Sequence, residues 1–328
     1  MKENKANRVP SLVLEFVAPG AIGFGSDEVP ELLARSIEIL RQTAVSPEST
    51  RLVVTGDFVA SVRSRLGDHP SASTYGTERG PGTVGAKTMP QPDGSVDVIV
   101  PAWFFNLSAS EDSTSARGKM VLRTILHESL HVAMRQNDQS YKPPADLSWR
   151  DLNFRNAADS IVDEYRAEAG VALSALEDEV SWSPVEILAT LSSNLGEIVA
   201  KYQAHLDVQR LSFEVGEECL VAWRLMAYLA AADINDPTRR AVTVDIADEL
   251  LWQRMAGDSW VSLRDALAQV PPGDQLLPDW EITRAVEEVS GVLIDWLLRL
   301  GFDWSDSQFR IMKWYFEDED FLRAMDAM

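Results

Sequence analysis

The period of the apolar positions changes near residue 115. Before it the runs are short. Ser11–Val17 and Leu52–Thr55 read as strands, with a helix over Glu28–Thr43 between them. Thr83–Met89 and Ser95–Val100 read as a hairpin around Pro92-Asp93-Gly94, residues suited to a tight turn. Val96, Val98 and Val100 alternate with Asp97 and Ile99, which predicts one apolar and one mixed face. The Gly-rich stretch Tyr75–Gly85 reads as a mobile loop. Its spacing is not that of a phosphate loop, and Gly20, Gly23 and Gly25 do not form a dinucleotide fingerprint. After residue 115 the pattern is helical almost throughout. Ser183-Pro184-Val185-Glu186 is a capping box with proline at the first helical position. Further helices are expected over 202–233, 241–256, 280–300 and 305–325, separated by Asp236-Pro237, Pro271-Pro272-Gly273 and Pro278. The expected fold class is α+β. A small unit over 1–180, an antiparallel or mixed sheet with helices, precedes a mainly α-helical region over 181–328 that packs on or beside it.

Composition sharpens this division. Ten of the 18 glycines precede residue 100, whereas nine of the ten tryptophans lie at or after Trp149. The first part is thus rich in turns and the second in large core side chains. The chain has 328 residues, of which 45% are apolar and 25% charged, enough to build a sizeable core. Thirty basic against 51 acidic residues give a net charge of −21, which opposes nucleic-acid phosphates and anionic lipid surfaces. The expectation is no nucleic-acid partner and no membrane. The N-terminal apolar run is interrupted by Glu15, and Leu220–Ile234 is too short and too charged for a span. The lone cysteine, Cys219, forms no intrachain disulfide and no thiolate cluster, as suits a reducing, cytoplasmic setting.

Chemistry concentrates in one segment, Val121 to His131, which contains His127-Glu128-Ser129-Leu130-His131. On a helix, positions i and i+4 share a face about 6 Å apart along the axis, so two imidazoles can converge on one zinc ion. Glu128 points beside the metal, which suits a general base acting on the water that zinc activates. Leu122, Ile125, Leu126, Leu130 and Ala133 supply the opposite, apolar arc. An open zinc site needs a third protein ligand. With no cysteine or further histidine close by, a carboxylate is the remaining choice. The next helical pattern, from Ala157 to Leu173, carries Glu164 and Glu168 one turn apart beside an apolar face of Phe154, Ile161, Tyr165, Ala172 and Leu176. Two stacked carboxylates repel unless a cation lies near them. The pattern leaves either one free to be the ligand, and turns Asp163 and Arg166 away from the core.

The pair of motifs, HExxH followed by E-Y-x-A-E on a second helix, resembles the gluzincin metallopeptidases and, more distantly, the ImmA/IrrE-type regulatory metallopeptidases. The resemblance covers about residues 83–175. It implies a zincin-like fold for the N-terminal unit. It makes Glu164 the third zinc ligand and Glu168 a carboxylate that orients a ligand histidine. By the same analogy Ser95–Val100 would be a sheet edge on which substrate lies as an added strand. The sequence departs from the family in having Glu at 168, where Asp or Asn is commoner, and in the 33-residue gap from His131 to Glu164.

The expected function is zinc-dependent hydrolysis of a peptide bond in a cytoplasmic protein or peptide, with Glu128 moving the proton from water to the leaving amine. Tyr165 and His205, with Tyr141 and Tyr75, are candidate donors to the oxyanion, although Tyr165 and His205 also suit packing and surface roles. The alternative is a catalytically silent, zinc-stabilised interaction or regulatory module. A regulatory protease held off by its own C-terminal half is a further reading. Glu128 separates the silent module from an enzyme, because a purely structural site has no use for it. The tryptophans at helical spacing read as core, and Glu317-Asp318-Glu319-Asp320 as a solvated face.

Overall fold

The structure is a computed structural model and describes residues 8–22, 29–69, 72–73, 75–79, 82–106, 112–174, 176, 183–235, 242–305 and 308–311. Its N-terminal layer is a four-stranded mixed sheet built from β1 (Ser11–Glu15), β2 (Thr50–Thr55), β5 (Lys87–Pro90) and β6 (Val96–Pro101), in the order β1-β2-β6-β5. β1, β2 and β6 are parallel, and β5 is antiparallel to β6. The helices α1 (Glu31–Thr43) and α2 (Phe58–Leu66) lie on the connections. Leu52, Val53 and Val54 in the centre of β2 are fully buried, as expected of an interior strand covered on both faces. The Gly-rich stretch contains a two-residue ladder, β3 (Glu78–Arg79) with β4 (Gly82–Thr83), where the pattern had suggested only a loop.

Two long helices follow, α3 (Ala116–Gln136) and α4 (Trp149–Ala172). Both begin on a serine whose side chain caps the first turn: Ser115 accepts from Gly118 N–H and Ser148 from Asp151 N–H. The remainder is helical: α5 (Pro184–His205), α6 (Val208–Asn235), α7 (Val244–Asp248), α8 (Leu250–Met255), α9 (Gly257–Leu267) and α10 (Asp279–Arg299). α5 begins at Pro184 as expected, but Ser183 makes no side-chain cap bond. The expected helix over 202–233 is broken at Leu206, which takes a left-handed conformation (φ 55°) and lets α6 reverse direction. The helix expected over 305–325 is not found in its described part. Phe302–Ser305 (β7) and Gln308–Ile311 (β8) form a hairpin instead, and Phe302, Trp304 and Phe309 pack their rings together. The acidic run 317–320 lies outside the described residues.

The molecule has two main cores. One lies between the sheet, α1 and α3, and includes Leu33, Leu40, Leu52, Val98, Val121, Leu122 and Ile125. The other gathers Phe154, Ile161 and Tyr165 of α4 with α5, α6, α8, α9 and α10, including Trp223, Trp252, Trp260 and Trp296. The helical core therefore reaches back across residue 180. The two cores meet where α3 crosses α4. There a Cβ on Gly170 would stand 2.6 Å from Leu130 Cδ1, so the absent side chain lets the helices approach.

The segment joining α9 to α10 clamps this crossing. Arg166, expected to point outward, is 1% exposed, and its guanidinium donates to the carbonyls of Pro271 and Gln275. Gln139 bonds both the N–H and the C=O of Leu277, and Gly273 rests on Leu130 and Met134. Asp163 is likewise buried, with its carboxylate 3.2 Å from Arg135. Among the described residues no helix is long and apolar enough to cross a membrane.

Candidate metal centre

α3 turns its apolar arc toward the sheet, where Leu122 and Ile125 are fully buried. This leaves His127 and His131 on the side facing α4. Their Nε2 atoms lie 3.2 Å apart. Glu164 of α4 places Oε2 at 3.2 Å from His127 Nε2 and 3.5 Å from His131 Nε2. Two helices anchored in different cores thus bring three ligating atoms to one point, a group able to hold a metal ion.

The surroundings define the protonation of this group. Glu168 accepts from His127 Nδ1–H at 3.0 Å. Arg123, one turn before His127, pairs with the other oxygen of Glu168. With its Nδ1 proton committed, His127 presents a lone pair at Nε2 to two further acceptors. Three acceptor atoms so close together require a proton or a metal cation between them. The pKa shifts express the same demand. Burial raises the Glu164 carboxyl, but hydrogen bonds to His127 and His131 outweigh it and hold the group well below the usual carboxylate range. Burial lowers the His131 imidazole, yet the Glu164 carboxylate carries it above its ordinary value.

The donor set itself is a test of which metal fits. Two imidazole nitrogens and one carboxylate oxygen, without thiolate, suit a divalent transition-metal cation. The Arg123–Glu168–His127 chain supplies the outer hydrogen bond that fixes the ring and its tautomer.

Glu128 stands apart from the cluster. It is 8% exposed, and its Oε2 accepts from Thr88 Oγ1 at 2.7 Å. Thr88 lies on β5, which is the edge of the sheet, whereas Ser95–Val100 contributes β6, an interior strand. The expectation that 95–100 forms the edge is therefore corrected: the interposed antiparallel β5 covers it.

Sequence reasoning missed Tyr228. From α6 its hydroxyl donates to Glu164 Oε2 at 2.7 Å, and its ring stands edge-on to His127 at 5.6 Å. Burial and the adjacent Glu164 carboxylate push its phenol well above the ordinary value, so it remains a donor. The tyrosine and histidine candidates named from the sequence have other surroundings. Tyr165 is packed in the helical core. His205, at the end of α5, accepts from Asp207 N–H and stands edge-on to Tyr202. Tyr141 Oη accepts from Arg155, and Tyr75 packs near Val53, Val62, Met89 and Ile99. Comparison with family models, curated proteins and solved structures finds no match.

Proposed function

We propose that the chain is a zinc metallopeptidase. His127, His131 and Glu164 would hold the metal, Glu168 with Arg123 would orient His127, and Glu128 would be the general base. The observation that supports this most strongly is the separation of roles between neighbours. Both histidines face Glu164, while Glu128 turns its carboxylate to Thr88 and keeps out of the cluster. A purely structural centre has no use for a buried carboxylate in that place.

Zinc, when bound, lowers the pKa of water and polarises a carbonyl. The rest falls to the chain. Glu128 would accept a proton on its carboxylate and return it to the departing amine, and the bond from Thr88 to Oε2 would fix the carboxylate for both transfers. Tyr228 Oη, which donates to Glu164 Oε2, would turn that proton to an oxygen that becomes negatively charged. In this reading the outer edge of β5, not 95–100, offers backbone groups to an extended peptide next to Glu128.

The test is cleavage of a broad peptide library by the purified chain, read by mass spectrometry with and without a chelator. Chelator-sensitive cleavage, restored by zinc, is the expected result. A zinc-loaded protein that cleaves nothing would return the site to a silent, structural role.

A further inference from the structure

α4 and α6 meet in two rungs. Tyr228 bonds Glu164, and one turn earlier on both helices Arg224 bonds Ser160. Residues i and i+4 are about 6 Å apart along a helix, so the guanidinium sits roughly that far from the Glu164 rung. Each rung belongs to a stripe that opens to solvent at its outer end. On α6, Glu217 is exposed and Val221, Arg224 and Tyr228 are half-buried; on α4, Asn156 is exposed and Ala157, Ser160 and Glu164 are half-buried. The paired stripes run from exposed positions to the candidate metal cluster.

Arg224 is the only cation on these stripes, and its bonding is incomplete. Nε and Nη2 both converge on the single Ser160 Oγ, at 2.9 and 2.6 Å, and among the described residues no carboxylate pairs with it. Elsewhere in this acidic chain arginines find carboxylates readily, as Arg51, Arg65, Arg123 and Arg155 do. A planar guanidinium with spare N–H groups, pre-oriented by a serine, matches a carboxylate bidentately.

We propose that Arg224 anchors a carboxylate of the substrate, so that the peptides taken by this site carry a negative charge within about two residues of the bond presented at the cluster. An extended chain covers about 3.3–3.6 Å per residue, which sets that distance. The carboxylate is either a free C-terminus or an Asp or Glu side chain. This inference rests on the peptidase reading for its substrate class, but the anchoring itself can be read by binding alone.

The experiment uses the zinc-loaded full chain and three random pentapeptide libraries: free C-terminal acids lacking Asp and Glu, C-terminal amides lacking Asp and Glu, and amides containing one Asp or Glu. Binding is measured on Glu128→Gln by affinity selection, and cleavage on the native chain. At least one carboxylate library should be retained about 10–100-fold better than the neutral amides, the usual worth of a charge-assisted pair. Which library is favoured identifies the source of the carboxylate. Adding Arg224→Gln should bring that ratio close to one at unchanged zinc content, and Arg224→Lys should keep part of it. If Arg224→Gln fails to fold, Arg224→Met is read in the same way. Equal retention of all three libraries, or a preference that survives loss of the guanidinium, would overturn the proposal. Cleavage without carboxylate preference would leave the peptidase reading standing and remove this one. Carboxylate-selective binding through Arg224 without any cleavage would do the reverse.

Discussion

Two of this protein's carboxylates, Asp97 and Glu164, keep different company. Asp97, on β6, has a side chain 1% exposed and is held at 2.5 Å by both Arg51 and Arg65, with Glu15 completing the network on Arg65. Glu164, on α4, has two imidazoles and a phenol around it. The sheet balances its buried charge with permanent cations. The helical seam does not do so at Glu164: its neighbours there are two titratable imidazoles and a phenol that donates to it, while Arg123 pairs with Glu168 instead. The first arrangement is finished structure. The second is a group that could hold a cation, and its partial exposure, 19% at Glu164 against 1% at Asp97, would give that cation a way in.

Several substitutions separate these two roles. The largest effect is expected at Glu128→Gln, which keeps the bond with Thr88 within reach but cannot accept a proton. Hydrolysis of any identified peptide should fall by roughly 10²–10⁴-fold with zinc content unchanged. Single-turnover kinetics with parallel metal analysis check this, and wild-type rates in the variant would remove Glu128 from the chemistry.

Asp97→Ala should act on stability alone. It removes the shared partner of two arginines, which keep Glu15 and Asp93, at a cost of about 2 kcal/mol after allowing for those partners and for the partial exposure of Arg51. Urea denaturation should show that loss while zinc stoichiometry in the folded protein stays as in the wild type. A coupled loss of metal would mean that the sheet and the seam are not separable.

The smallest effect is a pH dependence at Asp159. Burial, then the nearby Asp163, raises its carboxyl to about 6 from an ordinary value of 3.8. Between about 4 and 6 the native state therefore binds more protons than the unfolded chain, and this group's contribution falls as pH rises through that window. Above it, a buried charge is carried at a cost. Asp159→Asn, which can still accept from Tyr141 N–H, should stabilise the protein by roughly 1–2 kcal/mol at pH 8 and flatten the slope between about pH 4 and 6. Thermal melts across pH measure both.

What could be read from the chain followed the range of the interactions. The spacing of His127 and His131 is local to one helix, and their shared face followed from the helical period. The α+β division and the start of α5 were also visible, because turn-forming residues and the proline at Pro184 act locally. The order of the sheet was not, since β2 pairs with β6 across some forty residues and β5 intrudes only through its tertiary placement. Arg166 looked like a surface residue because its helical neighbours do not cover it. The 271–277 segment does, from more than a hundred residues away. Tyr228 lies 64 residues beyond Glu164 in a largely apolar helix, with no motif to mark it. Arg123 could have been noticed one turn before His127, but its value depends on Glu168 arriving from the next helix.

The central claim is that His127, His131 and Glu164 hold one metal ion, with Glu168 supporting them from behind. Its most direct test is elemental analysis of the protein purified without added metal, beside Glu164→Ala and Glu168→Ala. The account predicts close to one equivalent of zinc in the wild type, none retained by Glu164→Ala, and binding weakened by about 10–100-fold but measurable in Glu168→Ala. A wild-type protein without metal that also fails to take up zinc would contradict the claim. So would a Glu168→Ala protein stripped of metal beside a Glu164→Ala protein that keeps it.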